Sequence, residues 1–223
     1  MSSIFVTSSG TGIGKTYVMC RLIAELKGAG RSLRACKPLV SGFDLADVVA
    51  TDCGKILQAS GQAINSTNLD AVSPWRFQAP LSPDLAAQRE QRSIAFDELV
   101  AFSRPSRSSE LTLVEGIGGV MVPIDTEHTV LDWIEALGAA TLLVVGSYLG
   151  SLSHSLTAAA VLASRQIECL AVIVSESLNA PISVEETADS LRRFVGAVPV
   201  VTLPRQSATT STPLLPLLGY PLQ

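Results

Sequence analysis

Charge is scarce in this chain and comes without a surplus that would suit a polyanion. Only 16% of the 223 residues are Asp, Glu, Lys or Arg, and the net charge is −4. No basic run occurs, which argues against nucleic acid as the main partner. No apolar run reaches the roughly 20 residues that cross a membrane. The N-terminus passes straight into a short apolar strand pattern, without the basic and apolar regions of a secretory signal. Cysteine is sparse as well. Cys20, Cys36, Cys53 and Cys169 lack the pairing of a metal site, and their neighbours are apolar or helical. They read as reduced cysteines, mostly in the core of a cytoplasmic protein. There is no internal repeat and no sign of a second domain. Apolar residues are plentiful, at 47%. That supports one α/β domain over residues 1–223, a mostly parallel sheet with helices on both faces, and excludes disorder.

The most informative stretch is Ser8-Ser9-Gly10-Thr11-Gly12-Ile13-Gly14-Lys15-Thr16. It follows Ile4-Phe5-Val6, a buried-strand pattern, and precedes Met19, Leu22, Ile23 and Leu26, spaced as one helix face. Strand, glycine-rich loop, Gly-Lys-Thr and helix form the context of a P-loop. Glycines let several N–H groups point into one concavity, and the helix N-terminus adds partial positive charge. Lys15 can then reach the β- and γ-phosphates, and the Thr16 hydroxyl can ligate a bridging magnesium. The usual glycine six residues before the lysine is Ser9 here. An ordinary Gly/Ser/Thr turn is the simpler alternative, but Gly-Lys-Thr directly after a first strand favours phosphate.

Three further stretches fall at strand ends, the ligand-facing edge of an open parallel sheet. Leu33–Cys36 leads as a strand into Lys37-Pro38-Leu39-Val40-Ser41-Gly42, leaving Lys37 and Ser41 on the loop beyond it. Leu111–Val114 ends in Glu115 and then glycines, so Glu115 lies beside the P-loop, where an acid completes a magnesium shell. Thr141–Gly146 is a third buried strand, and the helix after it, with Leu152, Leu156, Ala159, Ala160 and Ala163 as its face, starts at Gly150-Ser151. A helix start of this kind suits a carboxylate or phosphate. His154 in its first turn is a weaker candidate, for loop orientation or packing.

The remainder organises the fold. Asp44–Ala59 reads as mostly helical, with Asp47 and Asp52 as alternative metal-facing carboxylates. Trp75 and Phe77 lie in a proline-punctuated loop, as core cover or as a pocket wall. Helices are expected from Pro83, around Phe96–Val100 and around Val184–Val195, with strands at Cys169–Val174 and Val198–Pro204. Arg104–Ser109 reads as a surface loop and Arg205–Gln223 as an irregular tail.

In order along the chain, Lys15-Thr16, Lys37-Pro38, Ser41, Asp52, Glu115-Gly116-Ile117-Gly118-Gly119 and Gly150 resemble the dethiobiotin synthetase family, over a stretch ending near Pro204. That resemblance implies an ATP-dependent cyclo-ligase of biotin biosynthesis. It would act on 7,8-diaminopelargonic acid and carbon dioxide (or bicarbonate), with Mg2+, as a homodimer with active sites at the subunit interface. It makes Lys37, Lys15 and Thr11 the catalytic residues, and Ser41, Thr11, Gly118, Gly150 and Ser151 the substrate contacts. The nucleotide would lie on Gly12, Ile13, Gly14, Lys15, Thr16, Tyr17, Asp52, Glu115, Gly118, Ser175 and Pro204, with the metal on Thr16, Asp52 and Glu115. Only the resemblance chooses Asp52 over Asp47.

The chain departs from the family at Ser8, where a glycine is common, at Gly12, where some members carry glutamate, and at Ser175-Glu176, where some use an asparagine to read adenine. A serine cannot match an adenine edge bidentately as a carboxamide does. ATP is therefore the expected nucleotide, with a broader base preference as the alternative. Two rival readings share the loop. One is another P-loop ligase. The other is a partitioning-type ATPase switch, which usually carries a second lysine five residues before the first, where this chain has Gly10.

Overall fold

A computed structural model describes residues 2–105, 111–205 and 212–219. Six parallel strands form the central sheet: β1 (Ser2–Ser8), β2 (Leu33–Cys36), β5 (Leu111–Glu115), β6 (Ala140–Gly146), β7 (Cys169–Ser175) and β8 (Val200–Leu203). Their order is β2-β5-β1-β6-β7-β8. β1 is thus central, and its carboxyl end meets those of β5 and β6 in the crevice where such sheets bind ligands.

Alternation along the strands builds two cores. Ile4, Val6, Leu142, Val144, Ala171 and Ile173 face α1 (Lys15–Gly28), α2 (Asp52–Ser60) and α3 (Ser66–Val72). Phe5, Val114, Leu143, Val145, Val172 and Val174 face the other way. There they meet α4 (Pro83–Arg89), α5 (Phe96–Ser103), α6 (Val130–Leu137), α7 (Ser151–Ser164) and α8 (Val184–Arg192). Strands covered on both faces need apolar residues at every position, and β6 is buried along nearly its whole length.

Three expectations are corrected. The helix expected over Asp44–Ala59 begins only at Asp52. Before it, Asp44 accepts from Ala46 N at 2.8 Å, Asp47 caps a short 3-10 turn (Val48–Ala50), and Thr51 caps α2 through Gly54 N. These short polar side chains bond the local backbone in competition with a continuous helix. In α7 the buried stripe is Ser151, Ser155, Ala158 and Leu162, while Ala160 and Ala163 are exposed and Leu152, Leu156 and Ala159 lie at the margin. Ser155 can be buried because its hydroxyl donates to Ser151 O at 2.6 Å. The proline-punctuated loop contains a short strand, β4 (Trp75–Arg76), paired with β3 (Leu39–Val40). Phe77 is buried, and half-buried Trp75 packs edge-on against Phe102.

The tail contains a 3-10 turn, Leu215–Leu218, docked by Leu214 and Leu215 against the α1 side. Most of the expected loop and tail, residues 106–109, 206–211 and 220–223, lies outside the described residues. All four cysteines are free, and Cys36 and Cys53 are buried.

Sequence reading passed over α6 entirely. Its start carries a capping box, Thr129 with Asp132, and Gly138 closes it in the left-handed region. Trp133 on this helix is fully buried, packs edge-on against Phe5 at 4.8 Å between centroids, and donates from Nε1 to Ser103 Oγ. Phe5 lies within β1, the strand that leads to the loop. Trp133→Ala is therefore expected to lower unfolding free energy by about 3–5 kcal/mol, the usual cost of emptying such a site, measured by urea denaturation followed by circular dichroism.

Candidate active site

The loop after β1 is held from both sides. Ser9 N donates to Val144 O at 3.1 Å, and Val120 N donates to Ser8 O at 3.1 Å. At Gly14 the backbone has φ 112°, and a Cβ would lie 2.7 Å from Ser175 Oγ. At Gly119 a Cβ would press on the Ser9 and Gly10 backbone at 3.3 Å. Glycine at these two points lets the loops after β1 and β5 lie against each other and against β7.

Lys15 opens α1 and folds beneath the loop. Its Nζ donates to Gly118 O at 2.8 Å, Ser8 Oγ at 3.0 Å and Gly10 O at 3.2 Å. Burial, then the neighbouring charge of Lys37, lowers its pKa to about 8, against the opposite pull of Glu115 and Asp52.

Lys37, just beyond β2, is the centre of a second cluster. Its Nζ lies 2.6 Å from Glu115 Oε1 and 2.7 Å from Asp52 Oδ2. Thr16 Oγ1 donates to the same Glu115 oxygen at 2.7 Å. Burial opposes the charge on Lys37, but the two carboxylates outweigh it and hold its pKa above the ordinary lysine value. Asp52 is in turn held below the usual carboxylate range: burial pulls upward, and Lys37 more than offsets it. Asp47, by contrast, caps the 3-10 turn and is absent from this cluster.

One cavity of about 550 Å3 joins the two lysines. Thr11, Gly12, Ile13, Gly14, Lys15, Thr16 and Tyr17 line it from the loop and α1, and Lys37, Ser41, Asp52, Glu115 and Gly118 from the other elements. Cys20, Lys55 and Ile117 line it too and were not anticipated. Their signal was available in part, since Cys20 is one turn beyond Thr16, Lys55 one turn beyond Asp52, and Ile117 lies inside the glycine segment. Ser175 lies outside this wall, behind Gly14. Pro204 follows β8, next to Arg205, whose N–H donates to Glu176 at 2.7 Å. Gly150 and Ser151 start α7 but do not line the cavity in their own chain. His154 pairs through Nδ1 with the Tyr148 hydroxyl at 2.8 Å. It lines a separate, mostly apolar hollow of about 400 Å3 with Thr11, Val120, Met121 and Val161.

A glycine loop at a helix start, a lysine beneath it and an acid at the end of the adjacent strand define a P-loop nucleotide-binding protein. The chain matches the AAA domain family over residues 2–212. A chain of the MinC:MinD cell division protein complex of Aquifex aeolicus shares the fold, with a TM-score of 0.54 at 15% identity over 96% of this chain and 84% of that one. Far more similar in sequence are proteins named ATP-dependent dethiobiotin synthetase BioD. The one from Acidiphilium cryptum is 44% identical over 89% of this chain and 91% of its own length. That of Phenylobacterium zucineum is 45% identical over 92% and 89%. That of Caulobacter vibrioides is 41% identical over 98% and 99%. The chain belongs to the ATP-dependent dethiobiotin synthetase family.

The lowered pKa of Lys15 has a measurable consequence. In the free protein Lys15 loses its proton as pH rises through about 8, whereas phosphate oxygens against it favour the charged form. Titrating ATP at pH 8.5 in two buffers of different ionisation heat, with EDTA present, should register proton uptake. Affinity should then fall as pH rises from 8 to 9, by at most about tenfold for one linked proton.

Proposed function

We propose that this protein closes the ureido ring of dethiobiotin from 7,8-diaminopelargonic acid, carbon dioxide and ATP. One substrate amine adds to carbon dioxide and loses a proton, giving a carbamate. A carbamate oxygen attacks the γ-phosphorus and ADP departs. The second amine then attacks the carbamoyl carbon and expels phosphate, sealing the ring.

The observation that carries this reading is the pair of buried ammonium groups, Lys15 at the start of α1 and Lys37 just beyond β2, facing one cavity. Carbamate and γ-phosphate are both anions, and their approach in line needs fixed positive charge between them. Lys15 serves the triphosphate beside the loop. Lys37 gives two of its protons to Glu115 and Asp52, and offers the third to the carbamate. Thr11 and Ser41 line the same cavity and would hold the diamine. Orientation by such contacts is worth roughly 7–11 kcal/mol when the geometry is good.

The residues also suit magnesium. Glu115 is fully buried, and its Oε2 makes no hydrogen bond among the described residues, so one oxygen is left for a cation. Thr16, Asp52 and Glu115 would hold the ion. With only two carboxylates it would keep water and phosphate in its shell, the preference of magnesium. Its charge would offset that of the β- and γ-phosphates.

In this reading the protein works in the cytoplasm as a homodimer. Met121 is exposed on the apolar hollow along α7 and Leu149 is exposed just before that helix, and a second copy would cover them. The partner's Gly150-Ser151 helix start would receive the substrate carboxylate. The N-terminus of a 14-residue helix suits that role.

Phosphate release should require both the diamine and bicarbonate; release indifferent to both would point to a nucleotide switch. Lys37→Ala should still bind ATP, while turnover falls by about 10²–10³-fold, the usual effect of losing one preorganised charge. Isothermal titration beside steady-state phosphate release reads both quantities, and unchanged turnover would remove Lys37 from the chemistry. Leu149→Asp should shift the protein from dimer to monomer in sedimentation velocity and lose diamine-dependent turnover.

A further inference from the structure

The reading of Lys15 as a phosphate ligand raises a question of hydrogen-bond accounting, and Ser8 answers it. A lysine ammonium has three protons. In this structure all three have acceptors: Ser8 Oγ, Gly10 O and Gly118 O. A phosphate oxygen can engage Lys15 only by taking one or more of these protons. A proton withdrawn from Gly10 O or Gly118 O leaves that carbonyl deprived, and the Gly118 carbonyl is buried. A buried carbonyl left without a donor is costly.

Ser8 is the last residue of β1 and is fully buried. Its backbone is fixed, since Ser8 O accepts from Val120 N and the following N–H donates to Val144 O. Its hydroxyl can still turn. Oγ lies 2.5 Å from Gly10 O and 2.9 Å from Gly118 O, so its single proton can serve either carbonyl but only one at a time. These are the same two carbonyls that Lys15 holds.

We propose that Ser8 is a positioning residue for Lys15: its hydroxyl supplies the hydrogen bond that Gly10 or Gly118 loses when the lysine turns to a phosphate. In the free protein both carbonyls are paired by Lys15, and the Ser8 proton duplicates one of those bonds. With nucleotide bound, the duplicate becomes the sole partner of the vacated carbonyl. The exchange needs a rotation about one bond and no movement of backbone. An alanine or glycine at this position could not make it.

The inference rests on Lys15 binding phosphate, so its test carries Lys15→Gln as a control. ATP affinity is measured by isothermal titration for the parent, Ser8→Ala and Lys15→Gln. Steady-state kinetics and thermal melting are run on the same samples. Ser8→Ala should bind ATP about fivefold to a hundredfold more weakly, the cost of one unpaired buried carbonyl. Its KM for ATP should rise in step, with kcat and the diamine KM little changed. Tm should fall only slightly, because Gly10 N and Lys15 Nζ lose Ser8 Oγ as an acceptor while both carbonyls stay paired. Unchanged or tighter ATP binding by Ser8→Ala, beside clear weakening by Lys15→Gln, overturns the role of Ser8 alone. A fall in kcat and Tm without a rise in ATP KM also overturns it, as the mark of a purely structural residue. If Lys15→Gln binds ATP like the parent, the phosphate reading of Lys15 fails and this inference with it.

Discussion

Burying a carboxylate with no water beside it costs several kcal/mol unless a cation and hydrogen bonds meet it. Glu115 sits at zero exposure at the end of a central strand, and that cost organises the site around it. Lys37 must come to it from β2 and Thr16 from α1, while Asp52 shares the lysine from α2. Four elements are thereby brought together at one sheet edge. A pair of this kind adds little net stability over a well-packed apolar replacement. In the proposed reaction its use is the charge it keeps ready for a ligand.

Parallel topology makes this arrangement economical. Because all six strands point the same way, every loop that leaves a carboxyl end opens on the same edge. Neighbouring strands lie about 4.8 Å apart, so β2, β5 and β1 bring Lys37, Glu115 and the phosphate loop within side-chain reach of one another. The apolar alternation that fills the two cores does the positioning, and the polar residues begin where it stops.

That boundary also explains what could be read from sequence. The loop at Ser9–Gly14 was legible because its chemistry is local, a run of glycines ahead of Lys15 and Thr16. Lys37 and Glu115 were legible because an apolar strand ended directly before them. The start of α2 was not, since Asp44, Asp47 and Thr51 bond their own neighbouring backbone and break what periodicity alone reads as helix. The face of α7 was misread because hydroxyls that bond within the helix, such as that of Ser155, can be buried where leucines were expected. Cys20 and Lys55 reach the cavity through the packing of α1 on α2, a tertiary fact without a local signature. α6 had such a signature, in Thr129, Asp132 and Gly138, and needed only to be looked for.

The fold by itself does not decide what is done with the phosphate. A cell division protein shares this architecture at 15% identity, so strand order and phosphate loop are common property. What distinguishes this chain's site is the lysine at the end of β2, which faces the same cavity as the loop and is held by acids from two other elements. In the proposed reaction that cation has a use beyond pairing Glu115 and Asp52. An enzyme that must bring one anion against another needs such fixed charge beside the phosphate loop, because the repulsion between the two grows as the local dielectric falls.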